Sequence, residues 1–349
     1  MNGFGFAAHG GAEQLRFVDI PPPAPGAGEV AIDVAAASFN RLDRFVLAGI
    51  PGVAIALPHI LGSDVAGWVA DVGPGVSDLP RGTRVLANPG IWDGTCPECA
   101  AGVECACRQF RILGEHTQGS VTGRVVLPLR NVHPIPASLT FEAAAAAPLV
   151  FQTAWRALRT VGALASGETV AIVGAGGGVA TAAVQVAKLT GGKVVVASRS
   201  PEKASAARAL GADDAVVFSA ERPLDRVLWE WSGKRGVDVI FDSVGAPTLP
   251  RSVRALARGG RVVVIGATAG PIAEVDLRTL FWRQASIRGS TMATRTEFDE
   301  MFAELTAGRL RPVVDRVFPY RDAAAAFARL DAPDLFGKVV VSVRETPPP

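Results

Sequence analysis

All four cysteines of the chain lie between residues 93 and 107, in the segment DGTCPECAAGVECAC. Within it, Asp93, Cys96, Cys99 and Cys107 are separated by two, two and seven intervening residues. Three thiolates and one carboxylate can complete a tetrahedral shell around Zn²⁺, and a complete shell leaves no position for water or a substrate. The spacing therefore predicts a structural zinc site that holds a loop in place.

Two alternatives for this cysteine segment remain open. Cys105 can replace Asp93 in an all-sulfur site, although ligands at positions 105 and 107 would crowd one side of the tetrahedron. The segment can also be a metal-free loop of reduced thiols, since disulfides are not expected in a cytoplasmic protein.

A glycine-rich turn follows the apolar run TVAIV and is the candidate dinucleotide site. It does not contain a literal GxGxxG, and the better frame is Ala175, Gly177 and Ala180. Small residues there allow the backbone to approach a pyrophosphate, and the N-terminus of the following helix favours its negative charge. The turn residues predicted to bind the cofactor are Ala175, Gly176, Gly177, Gly178 and Val179.

The residues after the second strand of this region indicate which nicotinamide cofactor binds. An acidic residue about 20 positions beyond the turn would bind the ribose hydroxyls and repel a 2′-phosphate. The sequence instead has Ser198, Arg199 and Lys203, a hydroxyl and cationic set that suits a phosphate. We therefore expect NADP(H), although surface charges at the start of a helix are an alternative explanation of Arg199 and Lys203.

Two different patterns of short apolar runs must position these residues. From residue 168 onward the runs alternate with helical segments, which predicts an α/β fold with a doubly wound, parallel, six-stranded sheet. Before residue 150, short strands with Gly/Pro punctuation predict a small, mostly antiparallel β-barrel. The six runs are TVAIV, KVVVA, DAVVF, VDVIF, RVVVI and ASIRG, and the earlier strands are EVAIDVAAAS, DVAGWVADVG, TRVLANP and GRVVLPL.

The charge and hydropathy of the chain exclude several classes of partner. Lys and Arg number 35 and Asp and Glu number 33, a balance that argues against a nucleic-acid or membrane-surface protein. The uncharged stretch from 169 to 187 is long enough to cross a bilayer, but the glycines at 174 and 176–178 divide it into a strand and a helix. The opening residues lack a secretion signal, so we expect a cytoplasmic protein with a small-molecule substrate.

The chain resembles the medium-chain dehydrogenase/reductase superfamily, the zinc alcohol dehydrogenase and quinone oxidoreductase group, over nearly its whole length. The resemblance implies a GroES-like catalytic barrel made of residues 1–150 and 292–349, and a Rossmann NADP-binding domain at residues 151–291. It also implies a homodimer formed through the nucleotide domains, with a tetramer as the alternative. The motifs that carry it, besides the cysteine segment and the glycine turn, are AASFNRLDRFVLAG, LPHILGSDVAGWVADVGPGV, RILGEH, APLVFQTAW and FGKVVVSV.

The sequence departs from the family at the catalytic metal. Alcohol-oxidising members hold a catalytic zinc with a Cys, a His and a second Cys, and the corresponding positions here are Asn40, Ser63 and Leu149. An amide, a hydroxyl and an alkyl group cannot form a competent Zn²⁺ shell. The resemblance is therefore to members that lack the catalytic zinc, such as quinone and enoyl reductases.

Hydride transfer to a conjugated acceptor does not need a metal, since the charge spreads over an enolate or phenolate that hydrogen-bond donors can hold. We therefore expect an NADPH-dependent reductase of an enone, an enoyl thioester or a quinone. Asn40 is the predicted donor to the anion. Asp43 and Asp64 are candidates to orient Asn40 or to relay a proton, or else cap and pair locally, and Ser63 fills the space of the missing imidazole.

The resemblance also implies further contacts with the cofactor. Arg41 is expected at the pyrophosphate, Thr153 beside the nicotinamide, and Lys338 close to the cofactor. Two other hypotheses remain, a zinc-dependent alcohol dehydrogenase with an unusual metal shell and a non-catalytic NADPH-binding protein. The residues expected along the carboxamide side of the nicotinamide are Gly266, Ala267, Thr268, Ser290, Thr291 and Met292.

Overall fold

The computed structural model describes residues 1–344 and residue 346. It divides into two compact units. The first contains residues 1–149, residues 294–298 and the described residues from 312 onward, and the second contains residues 150–293 and 299–311. Residues 299–311, which the sequence analysis assigned to the catalytic barrel, therefore group with the nucleotide unit.

Strands and helices follow the apolar patterns of the sequence. The strands of the described residues are β1 Asn2–Phe6, β2 Arg16–Asp19, β3 Glu29–Phe39, β4 His59–Ile60, β5 Asp64–Val72, β6 Arg84–Ala87, β7 Gly90–Ile91, β8 Arg111–Ile112, β9 Arg124–Pro128, β10 Val132–Pro134, β11 Thr169–Val173, β12 Lys193–Ser198, β13 Asp214–Val217, β14 Val237–Asp242, β15 Leu256–Val264, β16 Ser286–Gly289, β17 Val314–Pro319 and β18 Lys338–Ser342. The helices are α1 Arg41–Ala48, α2 Pro97–Ala100, α3 Phe141–Ala145, α4 Pro148–Trp155, α5 Gly178–Leu189, α6 Pro201–Ala209, α7 Leu224–Trp231, α8 Leu249–Ala255, α9 Leu277–Trp282, α10 Arg295–Thr306 and α11 Ala323–Arg329.

The second unit contains the predicted parallel sheet, with strand order β13-β12-β11-β14-β15-β16. Its central strands are runs of β-branched residues that are buried on both faces, including Val195, Ile240 and Val262. The order reverses at β11, which pairs with β12 on one side and with β14 on the other. Ligands of open α/β sheets bind at the carboxyl ends of the strands next to such a reversal.

The first unit is organised around β3, whose eleven residues are almost entirely buried. The strand pairs antiparallel with β5, β9 and β18, and the sheet order along this path is β10-β6-β5-β3-β18-β17. The antiparallel pairing fits the predicted barrel, except that β17 and β18 run parallel. The registers place Ser38 opposite Asp64 on β5 and opposite Val340 on β18, so the ends of three neighbouring strands meet where α1 begins.

Among the described residues, no helix is both long enough and apolar enough to cross a membrane. The uncharged stretch that prompted this question forms β11, the glycine turn and most of α5.

Candidate functional site

In the first unit, the side chains of Asn40, Asp64 and Lys338 form one buried hydrogen-bonded cluster. The Lys338 ammonium donates to Oδ2 of Asp64 at 2.8 Å and also donates to Oδ1 of Asn40. The amide nitrogen Nδ2 of Asn40 donates to the same carboxylate oxygen at 2.9 Å. Lys338 is 3% exposed, Asp64 is 0% exposed and Asn40 is 6% exposed, so the cluster is shielded from solvent.

The Asp64 carboxylate accepts two further hydrogen bonds. The hydroxyl of Ser38 donates to Oδ2 at 3.1 Å, and the backbone N–H of Leu149 donates to Oδ1 at 2.7 Å. A carboxylate that accepts hydrogen bonds at both of its oxygens has a fixed orientation. Asp64 therefore bonds to the side-chain amide of Asn40, and its predicted role in orienting that amide stays a prediction.

Asp43 contacts the backbone around Asn40 and not its amide. Its carboxylate accepts the backbone N–H of Asn40 at 2.6 Å and that of Gly62 at 2.7 Å, which caps the start of α1. Burial raises the pKa of Asp43 to about 6, and the two N–H donors oppose this rise. Asp43 thus fixes the turn that carries Asn40.

The three positions at which the family holds its catalytic metal come together around Asp64. Asn40 and the backbone of Leu149 bond to this carboxylate, and Ser63 precedes it in the chain. The hydroxyl oxygen of Ser63 is buried and has no hydrogen-bond partner among the described residues. The polar side chains here are an amide, a hydroxyl, an ammonium and the Asp64 carboxylate, and one carboxylate already paired with an ammonium does not complete a Zn²⁺ shell.

In the second unit, many of the residues predicted to bind the cofactor lie at the carboxyl ends of the strands of the parallel sheet. The glycine turn follows β11, Ser198 ends β12, Gly266–Thr268 follow β15, and Ser290–Met292 follow β16. The oxygen Oγ of Ser290 is buried without a hydrogen-bond partner among the described residues, and Met292 has a positive φ of 47°. A hydroxyl without a hydrogen-bond partner and a residue with a strained backbone, both at the carboxyl ends of the strands, are consistent with a ligand site.

The glycine turn leaves the N-terminus of α5 open. Gly174 has a φ of 93°, which favours glycine, and Gly177 caps the helix without a side-chain hydrogen bond. A Cβ atom added at Gly177 would meet no atom within 4 Å. The backbone N–H groups of this first turn can therefore reach an anionic ligand, and the residues fit a pyrophosphate.

The region predicted to hold the 2′-phosphate contains an acidic group that the sequence analysis did not consider. Ser198 Oγ accepts the backbone N–H of Ser200, and the hydroxyl of Ser200 donates to Oε2 of Glu202 at 2.6 Å. Arg199 is exposed at the same edge. The hydroxyl and cationic set is present, but Glu202 adds a negative charge at the first turn of α6. The sequence signal that could have revealed this group is the position of Glu202, an acidic residue four positions after the end of β12.

The cysteine segment brings Asp93, Cys96, Cys99 and Cys107 together, with one ligand atom of each within 4.8 Å of all the others. Cys105 is not part of this group, so the structure favours the carboxylate set over the all-sulfur set. The backbone N–H groups of Thr95 and Cys96 donate to Asp93 and lower the pKa of its carboxyl below the usual range. Three thiols and an ionised carboxylate fit a structural Zn²⁺ ion.

Two residues lie in environments that their predicted roles did not anticipate. Lys338, predicted near the cofactor, is buried against Asn40 and Asp64. Arg41 is half-exposed and shares the Asp331 carboxylate with Arg44. Their predicted contacts with the cofactor stay predictions.

Two residues that sequence analysis did not mark as functional have unusual surroundings. Gln152 is completely buried, and neither polar atom of its amide has a hydrogen-bond partner among the described residues. It precedes Thr153, which is also buried. The hydroxyl of Ser38 donates a hydrogen bond to Asp64. The sequence gives no sign of this contact, because Ser38 is a small residue in an alanine-rich strand.

Comparison with known proteins adds to this geometry. Residues 26–137 match the family model of the alcohol dehydrogenase GroES-like domain, and residues 178–307 match that of the zinc-binding dehydrogenase. The acryloyl-coenzyme A reductase of Metallosphaera sedula is 31% identical over 326 residues, which are 93% of this chain and 95% of that protein.

Two solved structures are similar over most of the chain. An NAD-dependent alcohol dehydrogenase is 38% identical with a TM-score of 0.93, covering 99% of this chain and 100% of that one. The 2-octenoyl-CoA carboxylase reductase CinF, in complex with NADP and 2-octenoyl-CoA, is 28% identical with a TM-score of 0.85, covering 95% and 82%. With both family models matched and a relative above 30% identity along nearly its full length, the chain belongs to the medium-chain dehydrogenase/reductase superfamily and is an oxidoreductase.

Proposed function

We propose that this protein is an NADPH-dependent reductase that adds a hydride to an activated carbon–carbon double bond or to a quinone, without a catalytic metal. The observation that carries the proposal is the Lys338 ammonium bonded to Asn40 and Asp64, at the positions where relatives of the alcohol dehydrogenase type hold zinc. A cationic amine and a metal ion do not share one small buried space, because their charges repel.

The surroundings of this ammonium limit the chemistry of the site. Reduction of a simple ketone places a full charge on one oxygen, which a Lewis acid normally stabilises. An enone, an enoyl thioester or a quinone delocalises the charge, so that a few oriented N–H donors suffice. Asn40 retains a donor for this purpose, since one of its two amide hydrogens is engaged by Asp64.

The cofactor would be held by the second unit. When bound, NADPH supplies a hydride from C4 of its nicotinamide. The open N-terminus of α5 would hold the pyrophosphate, Ser198, Arg199 and Lys203 would hold the 2′-phosphate, and Ser290 Oγ would gain the partner it lacks.

The two electrons and the proton of the hydride go to the β-carbon of an enone or enoyl thioester, and the resulting enolate takes a proton at its α-carbon. We assign this proton to solvent. The only tyrosine, Tyr320, donates its hydroxyl to the backbone carbonyl of Asn2 and has no role in this step. A quinone takes its protons on oxygen and needs no carbon acid.

The names of two relatives support the acceptor class. One is an acryloyl-coenzyme A reductase, and the other is an enoyl-CoA carboxylase reductase bound to NADP and 2-octenoyl-CoA. Both names describe conjugated thioesters as substrates, and these are among the acceptors expected from the metal-free donor set.

The test measures NADPH oxidation by absorbance with enones, enoyl-CoA thioesters and quinones, and compares the rates with those for simple ketones and aldehydes. The zinc content per chain is measured on the same protein. We expect turnover of at least one conjugated acceptor, little turnover of simple ketones and one zinc ion per chain. Asn40→Leu is expected to lower kcat about 100-fold and to leave the Kd for NADPH within about threefold. Tight NADPH binding with no turnover of any acceptor would favour a non-catalytic NADPH-binding protein.

A zinc-dependent alcohol dehydrogenase is the second candidate function, favoured by the 38% identity to an NAD-dependent alcohol dehydrogenase. It requires a second metal ion. Two zinc ions per chain, with alcohol oxidation that a chelator abolishes, would replace the reductase proposal.

A further inference from the structure

We infer that Lys338 and Asp64 are positioning residues that lock the side-chain amide of Asn40 in one orientation, so that its second Nδ2 hydrogen is kept for the oxygen of the acceptor. This inference rests on the proposed function and adds to it the residues that make Asn40 a competent donor. Neither residue is proposed to touch the substrate.

The lock follows from the hydrogen-bonding capacity of the two partners. An ammonium group only donates, so the atom of Asn40 that it contacts must be the oxygen Oδ1. An ionised carboxylate only accepts, so the atom that contacts Asp64 must be the nitrogen Nδ2. Rotating the amide by half a turn would place N–H against ammonium and oxygen against carboxylate, and both contacts would become repulsive.

Lys338 and Asp64 also hold each other, because the ammonium and Oδ2 lie 2.8 Å apart in the same buried cluster. The other carboxylate oxygen of Asp64 is held by the backbone N–H of Leu149. The backbone N–H of Asn40 is bound by Asp43. Asn40 is therefore held at its backbone, at Oδ1 and through one hydrogen of Nδ2.

After these contacts, the hydrogen bonds of the described residues leave one N–H hydrogen of Asn40 for a ligand. A donor held in place before the reaction stabilises a developing oxyanion without reorganisation at the moment of charge transfer. A freely rotating amide would instead present its oxygen to the anion part of the time, which would weaken the stabilisation. The lock thus increases kcat more than substrate affinity.

The test uses Lys338→Met combined with Asp64→Asn. Lys338→Met alone leaves a buried carboxylate without its cation and can prevent folding, whereas the double variant removes both charges. An asparagine at position 64 both donates and accepts, so it no longer distinguishes the two ends of the Asn40 amide. Ser38→Ala is the matched control, because it removes a bond to Asp64 but keeps both bonds of Asn40.

The first readout does not depend on activity. The chain contains four asparagines, Asn2, Asn40, Asn88 and Asn131, so protein labelled with [¹⁵N]asparagine gives few side-chain signals, and the Asn40→Leu variant identifies one pair. We expect two well-separated Nδ2 proton shifts for Asn40 in the wild type and in Ser38→Ala. The double variant carries a fifth side-chain pair from position 64, so its Asn40 pair is identified by its loss when Asn40→Leu is added. We expect the shifts of this pair to approach those of the exposed Asn2. Unchanged Asn40 signals in the double variant would overturn the lock.

The second readout is a mutant cycle on kcat with an acceptor that the wild type reduces. Asn40→Leu should lower kcat about 100-fold and the double variant about tenfold, because the unlocked amide still donates part of the time. The combined variant should lose no more than about threefold beyond Asn40→Leu alone. Ser38→Ala should stay within about threefold of the wild type. A further loss of about tenfold beyond Asn40→Leu in the combined variant would show that Lys338 or Asp64 acts independently of Asn40 and would refute their role as positioning residues.

The two readouts separate this inference from the proposed function. A wild type that reduces no conjugated acceptor defeats the proposed function, while the Asn40 signals still decide whether the amide is locked. Active wild type with unchanged Asn40 signals in the double variant defeats the lock alone.

Discussion

The thiol of Cys107 lies 3.4 Å from Oδ2 of Asp93, although fourteen positions separate the two residues in the chain. A tetrahedral ion with bonds of about 2.3 Å to sulfur and 2.0 Å to oxygen would separate two such ligands by about 3.5 Å. Cys96 and Cys99 complete the group. The four side chains are thus arranged at distances that suit a tetrahedral zinc ion.

We expect one tightly bound zinc ion per chain, which Asp93→Ala or Cys99→Ser should release. The loss should lower the thermal midpoint by several degrees, because the ion links segments of a loop that has little apolar core of its own. Metal analysis and calorimetry measure both effects. Cys105→Ser is the control and should keep the zinc ion. Loss of the zinc ion from the Cys105→Ser variant would support the all-sulfur alternative.

The pH dependence of stability should contain a contribution from Asp43. Its pKa is about 6 in the folded protein and about 4 in an unfolded chain, so folding favours the protonated form. The resulting stabilisation is complete below about pH 4 and is lost as the pH rises through 6, by about 3 kcal/mol in all. The thermal midpoint of the wild type relative to Asp43→Asn should therefore fall between pH 4 and 6.5. Parallel curves for the two proteins would contradict the raised pKa.

Cofactor preference should depend on opposite charges at the start of α6. Arg199→Ala should raise the KM for NADPH about tenfold and leave the KM for NADH nearly unchanged, because only NADPH carries the 2′-phosphate. Glu202→Gln should improve NADPH use by a few-fold, since it removes a negative charge hydrogen-bonded to Ser200. Arg208→Ala, on the same helix but paired with Asp214, is the control. Equal effects of Arg199→Ala on both cofactors would argue for an ordinary surface arginine.

Loss of Arg261 should destabilise the nucleotide unit. The residue is 8% exposed, and its guanidinium donates to both carboxylate oxygens of Glu168 at 2.6 and 2.7 Å and to the backbone carbonyls of Gly162 and Ala163. Arg261→Met removes these hydrogen bonds and should cost about 2 kcal/mol, between the values for buried and exposed pairs, because the Glu168 side chain is 27% exposed and can regain water. The exposed pair of Arg254 with Asp225 is the comparison, and Arg254→Met should cost less than about 1 kcal/mol in chemical denaturation.

An exposed apolar face in the nucleotide unit leads us to expect a homodimer. Phe281 and Trp282 on α9 are 67% and 70% exposed, and β16 forms an edge of the parallel sheet. Pairing of β16 with its copy would satisfy the open edge and cover apolar surface. Light scattering should show a dimer for the wild type and monomers for Phe281→Glu combined with Trp282→Glu. Phe45→Glu, at an exposed position of the first unit, should remain dimeric, and a monomeric wild type would refute the expectation.

The sequence by itself determined the parallel sheet, because its central strands contain short runs of β-branched residues whose length and apolar pattern indicate burial locally. It determined β3 and β5 of the first unit almost to the residue. It also placed the cysteine cluster, since four ligands within fifteen residues are close in any compact loop. The glycine turn could be predicted for the same reason, because the backbone geometry of a turn depends on the residues inside it.

Only the tertiary structure decided what surrounds Asn40. Lys338 is 298 positions away in the chain, and it reaches Asn40 because β18 pairs with β3 in one particular register. The backbone N–H of Leu149 reaches Asp64 from yet another segment. Contacts of this kind depend on the register between distant strands, which no local spacing encodes, and a lysine at the start of a strand has the same sequence signature whether its ammonium faces solvent or a buried carboxylate.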